Sequence, residues 1–244
     1  MAARRALPPR GDAPPLAWRL RGLPVCASTE MELEHWLAAE PPEAEPPEAA
    51  APLPRAVLAR RQRFGRGQRG RVWQSPAGGA WLSAALPWPE QPGRAAAPGL
   101  AVAVGLALEL EALGLPVTIK WPNDLLLGGC KIAGLLPRLR LRGGRIRWAQ
   151  VGVGLNGRHR LPPGAAGVPL AAAPLTARVL RALEWAVAHA ACVEPVRRAA
   201  EARLGLPLQP LRHEGELWQV EGLGADGSLL LRCGDRRTAL HRRF

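Results

Sequence analysis

The residues of this chain that could do chemistry fall in three short segments. The first is Gly65-Arg66-Gly67-Gln68-Arg69-Gly70-Arg71, followed by Val72-Trp73, with three arginines set among three glycines. Glycine lets backbone N–H groups approach a ligand closely, and guanidinium forks suit phosphate or carboxylate. The segment has no Gly-Lys-Ser/Thr ending, and arginine stands between its glycines without a clear βαβ context. It is therefore neither a Walker loop nor the dinucleotide fingerprint. The second segment is Lys120-Trp121-Pro122-Asn123-Asp124. It offers a cation for phosphate, and a carboxylate with an amide for Mg²⁺ or a ribose; an ordinary turn with an Asx cap fits it equally well. The third is Val151-Gly152-Val153-Gly154-Leu155-Asn156, whose alternating glycines leave room for a flat ligand or for a neighbouring backbone.

Composition draws the eye to the same places. The 244 residues carry a formal net charge of +13, which by itself suggests a polyanionic partner. Yet only Lys120 and Lys131 among the 33 basic residues are lysine, Tyr is absent and Phe occurs twice. That is a bias of Arg for Lys rather than a nucleic-acid surface, which would interleave aromatics with its cations. Against it, two lysines within Lys120–Lys131 stand out. A compact ammonium on a thin stem does work that a wide guanidinium does not, so Lys120→Arg is expected to impair function. The four cysteines are scattered, with no paired spacing, and read as reduced thiols in a cytoplasmic protein. No apolar run is long enough to span a bilayer, and no membrane association is expected. The N-terminal segment does not read as a secretory signal.

These segments need elements to hold them. Residues 1–22 read as a loose arm and 40–54, rich in Glu and Pro, as an exposed loop. Ser28-Thr29 ahead of acidic residues marks a helix start. Ala56–Ala59 reads as a strand and 95–113 as a buried helix ending near Gly114. Val117–Trp121, then segments around the Gly128-Gly129 and Gly143-Gly144 turns, make an antiparallel meander. Residues 175–204 read as helical, and the last forty as a small β appendage with a turn at Ala225–Ser228. The expected organisation is an arm over 1–22, a catalytic domain over 23–202 and a β domain over 203–244.

Taken together, the motifs resemble the biotin protein ligases. Ser28-Thr29, the run Gly65–Pro76, Lys120–Leu125, Lys131–Leu136 and Gly152–Asn156 stand in that family's order and at its distances. The resemblance implies an α+β fold: a mixed, mainly antiparallel sheet flanked by helices, with a small C-terminal SH3-like barrel. It implies activation of biotin by ATP, with Mg²⁺, to biotinyl-5′-AMP. Biotin then passes to a lysine of the biotin carboxyl carrier protein of acetyl-CoA carboxylase. By motif position, Lys131, Arg66 and Lys120 would be catalytic. Ser28, Thr29, Gln62, Arg66, Gly67, Gln68, Lys131, Gly134, Gly152 and Gly154 would bind biotin. Arg69, Arg71, Trp73, Lys120, Asn123, Asp124 and Asn156 would bind ATP, with Trp73 stacked on adenine and Asp124 on the metal.

The chain departs from the family pattern at Ala27 and Glu30, where Asp and Asn are usual, and at Gln68, where Arg is frequent. Its C-terminal run, Arg237–Phe244, lacks the family's Gly-Glu-hydrophobic tail. With about 22 residues before the first motif, no winged helix-turn-helix and hence no DNA binding is expected. A homodimer is compatible with the family. The alternatives are a lipoyl or octanoyl transferase of the same fold, and a basic nucleic-acid-binding module.

Overall fold

The computed structural model describes residues 15–39, 53–205 and 210–241. Most of the expected arm (1–14) and most of the Glu/Pro-rich loop (40–52) lie outside these residues. The described chain runs β1 (Arg19–Leu23), α1 (Thr29–Ala39), β2 (Arg55–Ala59), β3 (Ala80–Leu86), α2 (Pro98–Glu111), β4 (Val117–Lys120), β5 (Asp124–Leu127), β6 (Cys130–Arg142) and β7 (Arg145–Leu155). Then follow α3 (Ala172–Ala188), α4 (Val193–Glu201), β8 (Leu211–His213), β9 (Glu216–Leu223), β10 (Leu229–Cys233) and β11 (Arg236–Leu240).

Seven strands form one sheet in the order β1-β2-β3-β7-β6-β5-β4. Only the β1–β2 pair is parallel, so the sheet is mixed and mainly antiparallel, as expected. The β5–β6 and β6–β7 turns are Gly128-Gly129 and Gly143-Gly144, each glycine at positive φ, the geometry that matches strand twist in a two-residue hairpin. The remaining strands, β8 to β11, form a separate four-stranded antiparallel sheet. The turn joining β9 to β10 is pinned to the larger sheet, because Trp121 Nε1 donates to the Gly227 carbonyl at 2.9 Å.

Alternation along the central strands decides which face does what. Ala84, Leu82, Val151, Val153, Leu135 and Leu125 point to the face covered by α2 and α3, where the main core lies. On the opposite face α1 packs Leu33 and Trp36 against Val57, Ala85 and Trp148. Along β7 this second face reads Trp148, Gln150, Gly152, Gly154. Side-chain volume therefore falls away from the end that α1 covers, and the sheet is left with a trough.

The α2–α3 contact is close. A Cβ on Gly105 would stand 2.5 Å from the Ala182 carbonyl oxygen. The obstacle is helix backbone, which cannot step aside as a side chain can. Gly105→Ala is therefore expected to lower stability by about 1–3 kcal/mol, measured by denaturant unfolding. Beside it Glu109, 3% exposed, is held by Arg178 at 3.2 Å and Arg181 at 2.9 Å.

Three local readings change. Residues 19–22 are not a loose arm: they lie in β1, and the preceding Trp18 donates through Nε1 to Glu184 on α3. The sequence signal for β1 is weak because arginine alternates with its apolar residues and four of the five positions are exposed. The helical stretch 175–204 is two helices, broken at residues 189–192. Strand β3, buried along its whole length, was not anticipated, because a continuous apolar run carries no period-2 signal.

Candidate functional site

The trough is floored by glycines in register. Asp124 lies opposite Gly134, Gly134 opposite Gly154, and one step along Leu136 opposite Gly152 and Gly152 opposite Ser83. A Cβ on Gly154 would come 2.5 Å from Trp73 Nε1, and one on Gly134 3.0 Å from the same ring. The cavity that remains is about 150 Å³, lined among others by Ser28, Thr29, Gln62, Arg66, Gln68 and Lys131.

One wall is a hydrogen-bonded chain of polar side chains. The segment 61–64 pairs with 26–27 through Cys26 N to Arg61 O, Arg63 N to Cys26 O and Phe64 N to Ala27 O. That pairing brings Gln62 to the start of α1. Thr29 donates to Gln62 Oε1 from its backbone N at 2.7 Å and its hydroxyl at 3.1 Å. The Thr29 hydroxyl also lies 2.9 Å from that of Ser83, and Gln62 Nε2 donates to Ser75 Oγ at 2.7 Å. Ser28 is 1% and Thr29 3% exposed, so these groups need partners, and the chain supplies them.

The roof is the glycine–arginine segment, a hairpin closed on itself. Trp73 N donates to Gly65 O, and Gly67 N to Arg71 O. Its tip, Gln68–Gly70, is a 3₁₀ turn with Arg69 at φ 56° and Gly70 at φ 72°. Arg66, Arg69 and Arg71 are all exposed, and Gln68 Nε2 is buried without a partner.

At the far end stands Lys131. Its ammonium is 2.7 Å from Asp124 Oδ1, close enough for an ion pair though not aligned as a hydrogen bond, and 4.9 Å from the centre of the Trp73 ring. Asn156 positions this lysine: its Nδ2 donates to the Lys131 carbonyl at 3.3 Å and to Ala166 O at 3.0 Å. Asn123 spends its Nδ2 on Leu135 O at 2.7 Å.

The structure thus brings together Ser28, Thr29, Gln62, Arg66, Gly67, Gln68, Arg71, Trp73, Asn123, Asp124, Lys131, Gly134, Gly152 and Gly154. It does not bring in Lys120, Arg69 or Asn156. Lys120 is exposed on β4, opposite Asp124 in register and so on the same sheet face, but beyond the cavity. Arg69 is at the hairpin tip, turned outward. Asn156 is 5% exposed and committed to main-chain carbonyls, which leaves its amide N–H nothing for an adenine edge. The Trp73 ring sits on Gly134 and Gly154, two of the glycines expected to bind biotin.

Sequence reasoning missed two residues of this wall. Ser83 is a lone hydroxyl inside the apolar strand Ala80–Leu86, and that isolation was its signal. Glu30 was noticed only as a departure from the family. It is 5% exposed, with one carboxylate oxygen on Arg138 at 2.6 Å, and Oε2 buried with no partner. Burial pushes its pKa up, with Glu34 adding to this and Arg138, Arg66 and Arg140 opposing.

Comparison with known proteins places this geometry. Residues 45–156 match the family model described as "Biotin/lipoate A/B protein ligase family". The chain is 43% identical over 106 residues to a biotin–[acetyl-CoA-carboxylase] ligase of Paracoccus denitrificans, covering 41% of this chain and 43% of that protein. It is 41% identical over 104 residues to the bifunctional ligase/repressor BirA of Escherichia coli, covering 41% and 32%. The matched stretch thus spans less than half the length of either relative. In fold it is similar to a point mutant of the Aquifex aeolicus biotin protein ligase in complex with biotin (TM-score 0.68, 22% identity, 91% of this chain and 94% of that one). It is similar also to that organism's ligase in complex with biotin and ATP (TM-score 0.65, 21% identity, 93% and 95%). Residues 45–156 are thus similar to the biotin/lipoate A/B protein ligase family, and the fold around them is similar to that of biotin protein ligases.

Proposed function

We propose that the protein is an ATP-dependent biotin ligase that first makes biotinyl-5′-AMP and then biotinylates a lysine of a carrier domain. The observation that carries this reading is the placing of Lys131 at the end of a glycine-floored trough whose other end is the Ser28–Thr29–Gln62 polar wall. A ligand with a hydrogen-bonding head, a thin chain and a terminal carboxylate fits that order of surfaces.

In the first step a carboxylate oxygen of biotin attacks the α-phosphorus of ATP, forming the acyl–phosphate bond as pyrophosphate leaves. The obstacle is the approach of an anion to a polyanion, so preorganised cations do most of the work. Lys131 holds the carboxylate and then the acyl-phosphate oxygens. Arg66 and Arg71, exposed on the hairpin, close over the phosphates. In the second step the neutral amine of the carrier lysine attacks the acyl carbon; AMP leaves and an amide is formed.

Among the described residues no cluster of three or more metal-ligating side chains exists. Asp124 keeps one carboxylate oxygen beyond the one facing Lys131, which suits a Mg²⁺ ion that arrives on the nucleotide and takes most of its ligands from phosphate and water. Such an ion would shield phosphate charge.

The lipoyl or octanoyl alternative loses ground at the polar wall, which such tails cannot hydrogen-bond. A thioester intermediate on Cys26 is also disfavoured. Burial, with Glu32 adding to it, pushes that thiol to about 11, so it is not a thiolate near neutrality.

The test is exchange of labelled pyrophosphate into ATP. Exchange dependent on biotin, and not on lipoate or octanoate, is the expected result; exchange with octanoate alone would overturn the reading. In the same assay Lys120→Arg is expected to stay within about threefold of wild type, because the side chain is exposed outside the cavity. That reverses the expectation from lysine rarity.

A further inference from the structure

The polar wall holds one acceptor that no group among the described residues uses. Gln62 Oε1 already takes two hydrogen bonds from Thr29, and Gln62 Nε2 is spent on Ser75. The Ser28 hydroxyl accepts the Glu30 backbone N–H at 3.3 Å. Glu30 is different. It lines the cavity, it is 5% exposed, and only one of its carboxylate oxygens has a partner, in Arg138. The other is buried and unsatisfied. A buried acceptor left unmade costs free energy that a donor supplied by a ligand would recover.

We infer that Glu30 is a specificity-determining residue, whose free carboxylate oxygen accepts an N–H of the ligand's cyclic urea. This rests on the biotin reading and adds to it the means by which acids without N–H donors are refused. A dithiolane or alkyl tail placed there leaves the carboxylate unpaired, whereas a urea N–H makes a charge-assisted bond to it. A site built to pair a polar ligand group rejects analogues that lack the group far more strongly than an apolar pocket rejects an extra methylene. Arg138 holds the other oxygen and so fixes the carboxylate's rotamer. Glu34 shares Arg138 and also engages Arg140, which ties the device to β6.

The test is calorimetric binding at pH 8 of biotin, of its two analogues with one urea N–H replaced by a ring oxygen, and of octanoate. Wild type should bind biotin at least about tenfold tighter than one of the oxygen analogues, and Glu30→Gln should lose most of that difference. Octanoate binding should be no weaker in the variant. Arg138→Met, which removes the ion pair but keeps the acceptor, should still discriminate between the urea and the analogue. Equal biotin affinity in wild type and Glu30→Gln would overturn the inference while leaving the biotin reading intact. So would equal loss of discrimination in both variants, which would mean that the ion pair alone matters. A wild-type protein that binds no biotin would sink both. Should Glu30→Gln fail to fold, the wild-type and Arg138→Met comparisons of biotin with the analogues decide alone.

Discussion

Lys131→Ala is expected to reduce biotin-dependent adenylate formation by about 10³-fold while leaving the thermal unfolding transition almost unmoved. The catalytic loss is that of a preorganised cation at a point where two anions must meet. The stability effect is small because the ammonium is about one-third exposed and its pairing with Asp124 is partly solvated. Asn156 bonds the Lys131 carbonyl, not its side chain, so the strand stays in place in the variant. Retention of wild-type adenylation would mean that the carboxylate is activated elsewhere. A collapsed unfolding transition would mean that the lysine is structural.

Gly154→Val carries the second large effect, for a different reason. Its side chain would rise from the trough floor into the Trp73 indole, to which even a Cβ comes within 2.5 Å. Trp73 sits on a partly exposed hairpin and can yield, unlike the Ala182 backbone that faces Gly105. Folding should therefore survive while the trough is lost, and biotin affinity should fall by about 100-fold. Titration calorimetry measures this, with circular dichroism as the check on folding. Unchanged affinity would place the ligand off the glycine row. For biotin to lie on that floor as proposed, Trp73 must move in the wild type too. The cavity of about 150 Å³ is smaller than an ordinary ligand pocket, and the indole occupies the floor that an acyl chain would need.

The parts of this site legible in the sequence were those where composition or spacing singled a residue out. Lys131 stood out because arginine is the default cation of the chain. The glycines of 152–154 and 65–70 stood out because their spacing serves no helix. The Gly-Gly turns fixed the hairpins that hold Lys131 and Asp124 close together. What escaped the sequence depended on tertiary direction. Lys120 and Lys131 look alike in sequence, yet one lies on β4 outside the cavity and the other on β6 within it, and only the strand order separates them. Asn156 and Trp73 bear side chains suited to a nucleotide, but packing turns the first to main-chain carbonyls and the second onto the glycines. Ser83 and Glu30 lay hidden in an apolar strand and an acidic helix start. Their role arises only because α1 crosses the sheet beside β3.

The central claim is that one trough activates a urea-bearing acid and delivers it to an amine. It is tested most directly by incubating the protein with biotin, Mg-ATP and a biotin carrier domain, and mapping modified residues by mass spectrometry. The expected result is biotin on one carrier lysine, dependent on ATP and absent with Lys131→Ala. An unmodified carrier, or modification undiminished in Lys131→Ala, would contradict it.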